Sequence, residues 1–575
     1  MDKLVELARN QTVRRAAVGL YVFALAGVVG AFFIVSLFEV ENSTYLLGDA
    51  TVEKGRPNAV RGVVFDTPTG RFVRDAKIDL SLYEFEWDGE SSVQNIVEKQ
   101  LSGTEIASGA TEPTGHFQLQ MEPPEAVETG DYSLVVHATG TRVSEDYYAG
   151  VDVEVAPRAP TELDWPTKTH RLPEDNRPGH DEAATNSKGP IAVDLLPRDG
   201  EVIRGVESTV YVRTYHRETG EPARATVQFN EVKGINETEL PSTVRTDAMG
   251  LARVRWTPGT DQNWKLEVLD ASSPSEETEV ESDDGDEEEP ENSTATIRIT
   301  TVPAQYSMTL NDSVVQAGEP LEGYVKSLNR SGGMMVDLYD GDEWTVAASF
   351  GMQEGASGLR LTVPEYEGIG KLQRVQLYGG IYGVGRAWDA KYVWLTDDTS
   401  EDGRQAALRE VIEFHADHTD DPYFDYLRRT DAAQSDTAGA EKLSRWTRAY
   451  LDAVPTHFDA PPELINSEKQ AKERLDEWKS GIKSKLMYLV AFGLFVGLMV
   501  VLYLVLMGIR SSQAHKQDLR DVDTDLAIDG EVDGLDEDVV SAARADDWVV
   551  WLQIAIVVTT LIFFAAGILL LLSFM

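Results

Sequence analysis

Three long apolar runs stand out in the pattern of hydrophobic and polar positions. Ala16–Phe38, Leu486–Ile509 and Trp548–Met575 carry no charged residue, and Gln553 is the one amide in the third. Each exceeds the roughly 20 apolar residues needed to cross a ~30 Å hydrocarbon core, so the pattern predicts three transmembrane helices. The first run is also longer than the ~7–15 residues of a signal-peptide core, which predicts an uncleaved anchor. From about Arg56 the texture changes to short alternating segments separated by Gly, Pro, Asn and Asp, the pattern of tandem β-sandwiches. Beyond residue 398 the period becomes helical.

These changes divide the chain. A cytoplasmic N-terminus (1–15) precedes helix 16–38 and a linker (39–57). β-Sandwich 1 spans 58–156, with Arg61–Phe65, Ile78–Leu82, His116–Gln120 and Tyr132–His137 as strands. A Pro-rich linker (157–190) leads to β-sandwich 2 (191–302), which contains an acidic loop (271–294). The densest part of that loop, residues 281–293, repels itself and has no core to offer, so it predicts a solvated insertion in a hairpin flanked by Trp264–Val268 and Ala295–Thr301. β-Sandwich 3 occupies 303–398. A juxtamembrane helical region (399–485) follows, with helices over Ser400–Phe414 and Lys442–Leu451. A third helix is capped by Ser467 and Gln470 and carries a stripe of Ala471, Leu475, Trp478 and Ile482. Membrane helix 486–509, an acidic loop (510–547) and membrane helix 548–575 complete the chain. The predicted fold class is therefore a mainly β ectodomain of tandem sandwiches with a juxtamembrane helical region and three transmembrane helices.

Charge sets the orientation. Lys3, Arg9, Arg14 and Arg15 precede the first apolar run, while Glu39, Glu41 and Asp49 follow it. Basic residues stay on the cytoplasmic side, so the N-terminus and loop 510–547 are expected in the cytoplasm and residues 39–485 outside. Trp548 and Trp551 suit an interfacial belt. N-x-S/T sequons at Asn42, Asn236, Asn292, Asn311 and Asn329 fall in the outer region as glycosylation candidates, whereas the one at Asn10 falls inside.

Composition narrows function by exclusion. With 97 acidic residues against 52 basic and a net charge of −45, the chain lacks the basic footprint of a nucleic-acid binder. Dispersed carboxylates and an excess of Arg over Lys suit a salt-adapted surface. With no cysteine there is no disulfide framework, Cys-ligated metal or thiol nucleophile. The membrane segments contain no ionisable group to mark an ion path. No nucleotide, hydrolase or metalloprotease fingerprint occurs in its required context, so no cofactor is expected. The densest candidate chemistry is the run at 413–426, where His415, Asp417, His418, Asp420 and Asp421 supply metal-ligand types within two turns. A Thr-Asp-Asp-Pro helix end explains the same run. A smaller group, His180, Asp181 and Glu182, lies in the Pro-rich linker.

The first two sandwiches echo each other. Gly70, Val73, Ala76 and Ile78 correspond to Gly220, Pro222, Ala225 and Val227, and Thr111, Gly115 and Phe117 correspond to Thr246, Gly250 and Ala252. In each, a Gly turn ends one strand, a small Ala packs inside, and a second Gly turn opens a hairpin. These phrases, with Pro197–Thr214, Gly130–Val136 and Gln316–Val325, resemble the macroglobulin-type and related immunoglobulin-like domains of the alpha-2-macroglobulin superfamily. The resemblance covers about residues 58–397. It implies tandem β-sandwiches. The superfamily's thioester needs a Cys that this chain lacks, so covalent protease trapping is not implied.

The expected function is that of a non-enzymatic cell-envelope protein anchored in the lipid bilayer. Its outer domains would serve adhesion, scaffolding or binding of a protein or envelope polymer. Three alternatives remain: an accessory subunit bound to polytopic membrane partners, a metal-dependent hydrolase at His415 and His418, and a protease-binding surface.

Overall fold

The computed structural model describes residues 42–474 and isolated positions from 476 to 517, with interruptions at 144–146, 161–164, 167–185, 197–201, 234–239, 273–292, 300, 303–305, 328–332, 353–355, 381–387, 431–438 and 457. The apolar runs 16–38 and 548–575 lie outside the described residues, and 486–509 is described only at scattered positions. Among the described residues, no helix is long and apolar enough to cross a membrane. The described part is mainly β and groups residues 40–467 into one compact unit.

Sandwich 1 pairs two five-stranded sheets. One contains Glu463–Asn466, Asn42–Leu47, Asn58–Asp66, Arg71–Phe72 and His116–Met121; the other runs Thr51–Glu53, Tyr148–Ala156, Gly130–Thr139, Lys77–Tyr83, Thr104–Ala110. Alternation drives the assembly: Ile78, Leu80 and Leu82 point inward and are at most 3% exposed, facing Val60, Val64 and Phe117. Two of its strands fall in the stretch expected as a linker (39–57), and a third falls in the stretch expected to be helical (399–485). Asn42–Leu47 shows no alternation because both its faces are covered, with Leu46 in the sandwich core and Leu47 in a second cluster outside it. Glu463–Asn466 is four residues long, too short for a period to register. It pairs antiparallel with Asn42–Leu47, Tyr45 opposite Asn466. The two ends of the unit therefore emerge side by side at one sheet edge. There Ser467 Oγ accepts from Thr44 N–H at 2.7 Å.

Sandwich 2 packs Ile191–Leu196, Ser208–His216 and Leu251–Trp256 against Asn186–Lys188, Thr294–Ile299, Gln262–Ser272, Arg224–Lys233 and Thr243–Arg245. Gln262–Ser272 and Thr294–Ile299 pair directly, Glu267 opposite Thr294, so the acidic run lies in the connection of a hairpin. Trp256 and Trp264 meet edge to face in the core and share Gln262 Oε1 as acceptor, each at 3.0 Å.

The sequence echo has a structural cause. In sandwich 1, Thr111 Oγ1 accepts from Ala76 N–H at 2.9 Å, and Thr111 N–H donates to Ala76 O at 2.9 Å. In sandwich 2, Thr246 Oγ1 accepts from Ala225 N–H at 2.8 Å, and Thr246 N–H donates to Ala225 O at 2.9 Å. Four residues on, Gly115 and Gly250 take φ of +86° and +64°, the left-handed turn that starts the next strand.

Sandwich 3 has a sheet of Tyr306–Leu310, Pro320–Ser327 and Ala356–Thr362 facing a sheet of Val314–Val315, Trp388–Leu395, Leu372–Tyr378, Gly333–Asp340 and Glu343–Gly351. In the second sheet Leu372–Tyr378 is buried throughout, and Gly333–Asp340 is buried at every position but Gly333. One face meets the sandwich core and the other is covered by sandwich 1 and the helices. Those helices, Glu401–His418, Pro422–Thr430 and Ala440–Leu451, share one cluster with Leu196, Tyr211 and Leu251 of sandwich 2 and Leu372, Tyr392 and Trp394 of sandwich 3. The helical region is thus a wedge between two sandwiches. Ser400 caps the first of these helices by accepting from Gly403 N–H.

Candidate functional site: a basic cleft between two sandwiches

The run at 413–426 is structural. His415 is 1% exposed, its ring stacks on Phe424 at 4.2 Å, and its Nε2 lies 2.9 Å from the Tyr450 carbonyl. His418 turns Nδ1 to the Phe414 carbonyl one turn back on its own helix, at 2.8 Å. Asp417 accepts from Arg428 at 2.7 Å. Asp421 accepts from Arg213 at 2.8 Å and from Tyr423 N–H at 3.1 Å, which starts the 422–430 helix. Asp420 is exposed. The five side chains do not converge, and among the described residues no group of three His, Asp or Glu is placed to hold a metal ion. The expected metal site is therefore corrected: a helix end with its own ion pairs uses these residues. His180, Asp181 and Glu182 lie outside the described residues.

The sequons also separate. Asn42 is 5% exposed and donates Nδ2 to the Phe65 and Arg142 carbonyls, so its amide is closed to glycosylation. Asn311 is exposed. Asn236, Asn292 and Asn329 lie outside the described residues.

Sequence patterning missed a set of buried charges on the outer sheet faces. Arg61 is fully buried, lies 2.8 Å from Asp337 across the contact between sandwiches 1 and 3, and donates to Tyr378 OH and, at 2.9 Å, to Ala348 O. Burial pulls the Arg61 guanidinium down, but Asp337 outweighs it and holds the group charged. Arg374 pairs with Asp459, and Gln376 Nε2 donates to Asp459 O at 2.7 Å. On the equivalent face of sandwich 2, Arg213 sits between Asp194 (2.5 Å) and Asp421 (2.8 Å), with its guanidinium 4.8 Å from the Tyr423 ring centre. The available signal was alternation in Met335-Val-Asp337-Leu-Tyr339 and Leu372-Gln-Arg374-Val-Gln376-Leu-Tyr378. There aromatic and charged residues share the face that is not core, a mixture that suits an interface better than solvent.

A cleft of about 370 Å³ lies where sandwich 2, sandwich 3 and helix Ala440–Leu451 approach each other. Its first wall is the outer face of sandwich 2. Ala252, Val254 and Trp256 point into the core, so Arg253 and Arg255 project into the cleft beside Thr209 and Tyr211. Its second wall is the outer face of Tyr306–Leu310 and Pro320–Ser327, which presents Ser307, Thr309, Tyr324 and Lys326. The helix supplies Arg445 and Arg448, and Asp389 and Lys391 lie at the open end of sandwich 3. Burial pulls the Lys391 ammonium down, but Asp389 and Asp452 outweigh it and keep the group charged. Tyr211 is pushed up to about 12, by burial first and then by Asp452.

No family profile matches the chain, and no curated protein matches it. Solved structures that align with it include the alpha-2-macroglobulin of Salmonella in a mutant form, at 12% identity and a TM-score of 0.15 over 62% of this chain and 23% of that one. The E. coli alpha-2-macroglobulin aligns at 11% identity and a TM-score of 0.14, covering 62% of this chain and 22% of that one. A tetra-tandem repeat from the extending region of a large adhesion protein aligns at 10% identity and a TM-score of 0.14, covering 62% and 75%. The chain thus spans under a quarter of the two macroglobulins.

Proposed function

We propose that the chain is a non-enzymatic cell-envelope protein, anchored in the cytoplasmic membrane, whose outer β-domains bind a protein or polymer partner. The observation that carries the reading is the pairing of Asn42–Leu47 with Glu463–Asn466. It brings the two exits of the 40–467 unit to one edge, one leading back to the apolar run 16–38 and the other on to 486–509. A body tethered through two such runs has one attachment side and leaves its other surfaces to a partner. N-terminus inside and residues 39–485 outside follow from the flanking basic residues. In native-membrane preparations the protein is expected to resist extraction by high salt and alkaline carbonate and to dissolve only in detergent. Release by carbonate alone would remove the anchor from this reading.

A second reading, an accessory subunit of a larger membrane complex, is favoured by one feature. Tyr488, Phe495, Met499, Leu502, Leu506 and Ile509 are helical, spaced by three, four or seven residues, and 46–77% exposed. That spacing puts these six exposed apolar side chains on one helical face. Crosslinkers placed at Phe495 and Leu502 are expected to capture polytopic proteins if this reading holds, and lipid alone if it does not.

A further inference from the structure

We propose that the cleft between sandwiches 2 and 3 binds a ligand through a carboxylate or phosphate group, gripped by Arg253, Arg255 and Arg445. The cleft's charge runs against the chain's. Six basic side chains line it (Arg253, Arg255, Lys326, Lys391, Arg445, Arg448) against four acidic ones, in a protein of net charge −45.

Two of the four acids are engaged, while Asp452 has a buried Oδ1 with no hydrogen-bond partner. Glu207 lies 3.4 Å from Lys326, and Asp389 accepts from Met308 N–H at 2.7 Å beside Lys391. Of the bases, Arg448 is tied to the Asp312 carbonyl at 2.5 Å. Arg253 and Arg255 make no ion pair with any described residue. They stand two positions apart on one face of one strand, a spacing of about 7 Å. Arg445 reaches Asp247 only at 3.9 Å, and its Nε is buried without a hydrogen-bond partner.

Three guanidinium groups with unused donors therefore face one volume from two walls. Arg in place of Lys matters, because the planar fork meets a carboxylate or phosphate with two parallel hydrogen bonds. The cleft volume is at the small end for ligand pockets, the size of one sugar-like or phosphate-bearing unit. Ser307, Thr309 and Tyr324 on the opposite wall offer hydroxyls to such a unit.

The proposal deepens the partner-binding reading by naming the chemistry of the partner group. It stands apart from the anchor: a chain released by carbonate that still binds anions in the cleft would overturn the anchor alone. The test is calorimetric titration of the full chain in detergent micelles. The probes are inorganic phosphate, tripolyphosphate, galacturonate and trigalacturonate, at about 0.1 M and about 1 M salt, where the screening length falls from about 10 Å to about 3 Å. At least one probe is expected to bind at the lower salt and to weaken about tenfold or more at the higher. R253Q/R255Q and R445Q are each expected to weaken it about tenfold. Arg360→Gln, at an exposed position of strand Ala356–Thr362 in sandwich 3 and outside the cleft lining, is expected to leave it unchanged. Trimers binding tenfold above monomers identify a polymer as the source; equal binding identifies a free small acid. Absence of binding by all four probes, parental affinity in R253Q/R255Q, or equal weakening by Arg360→Gln overturns the proposal.

Discussion

Sandwich 3 meets its two neighbouring sandwiches in opposite ways. Against sandwich 1 it closes: Met335, Tyr339, Trp344 and Tyr378 pack on Leu47, Ala59 and Val63, and the Arg61–Asp337 ion pair is buried between them. Against sandwich 2 it stays open: the outer faces approach but leave a water-accessible volume lined by Arg253 and Arg255 on one side, Lys326 on the other, and Arg445 and Arg448 of the helix. Apolar packing joins sandwiches 2 and 3 through the helical wedge. The same architectural device, a strand with one face in the core and one face outside, thus yields a fixed joint on one side and a recess on the other. The difference lies in the outward residues. Where Tyr and Trp flank the Arg61–Asp337 pair, burial of aromatic area carries the cost of desolvating the charges. Where Arg253, Arg255 and Lys326 occupy those positions, closure would bring like charges together, and the faces stay apart.

The closed contact is most sensitive at its ion pair. Asp337→Ala leaves Arg61 charged, buried and unpaired, and is expected to cost about 3–5 kcal/mol. Denaturant unfolding of the detergent-solubilised chain measures this. The double variant R61M/D337L is expected to recover most of it, because a buried pair replaced by apolar groups is close to neutral. A loss in the double variant as large as in Asp337→Ala would mean that the pair's geometry, and not its charge balance, holds the joint.

The strand behind that joint comes next. Ile465 is fully buried in the strand that returns from residue 463 to complete sandwich 1. Ile465→Ala is expected to cost about 2–4 kcal/mol. Proteolysis should then appear first in residues 42–47, since the pairing partner has been weakened. Cleavage that begins in sandwich 3 would show that the return strand is peripheral.

These two sites mark what the sequence did and did not make legible. Alternation in Ile78–Leu82 identified a sandwich strand, and the Thr–Gly echo identified a repeated turn that turned out to rest on the same pair of hydrogen bonds. Period and turn chemistry are local, so they can be read locally. Glu463–Asn466 could not be, because its reason for being a strand lies some 420 positions upstream at Asn42–Leu47. The cluster at 413–426 misled for a related reason: ligand-type residues were visible, but their partners Arg213 and Tyr450 lie elsewhere in the chain. The cleft was invisible because its arginines come from two segments far apart in the sequence, Leu251–Trp256 and Ala440–Leu451, and only the fold brings them to one volume.

At the rim of the closed contact, pH supplies a smaller lever. Asp49 is pushed up to about 6, by burial first and next by Glu343, with Arg56 opposing. Glu343 is itself raised by burial and pairs with Arg56 at 2.7 Å, while Glu53 lies 3.2 Å from the same guanidinium. A carboxyl whose pKa rises on folding holds its proton more tightly in the folded state. Its contribution is therefore most favourable below about pH 4 and declines as pH rises toward 6. Asp49→Asn is expected to stabilise the protein at pH 7 by about 1–2 kcal/mol and to leave it unchanged at pH 4. Melting temperatures of both forms across that range decide it. Equal stabilisation at pH 4 would trace the effect to packing.

The smallest expected effect is the one that separates the two contacts most sharply. Arg253 and Arg255 stand exposed on a strand whose other face holds the core of sandwich 2, so R253Q/R255Q removes two charges without opening a cavity or leaving a buried partner unpaired. Surface changes of this kind stay within about 0.5 kcal/mol. The expectation holds against Asp337→Ala because the chemistry is the same, loss of charge at an outer sheet face beside sandwich 3, and only the surroundings differ. Removing like charges that face each other also relieves repulsion, so the sign is expected to be slightly stabilising at low salt and to vanish at about 1 M, where screening acts within about 3 Å. Denaturant midpoints at both salts measure it. A loss above about 1 kcal/mol would mean that the two arginines carry structural pairs, and the recess would then be a second joint, not a place left open for a ligand.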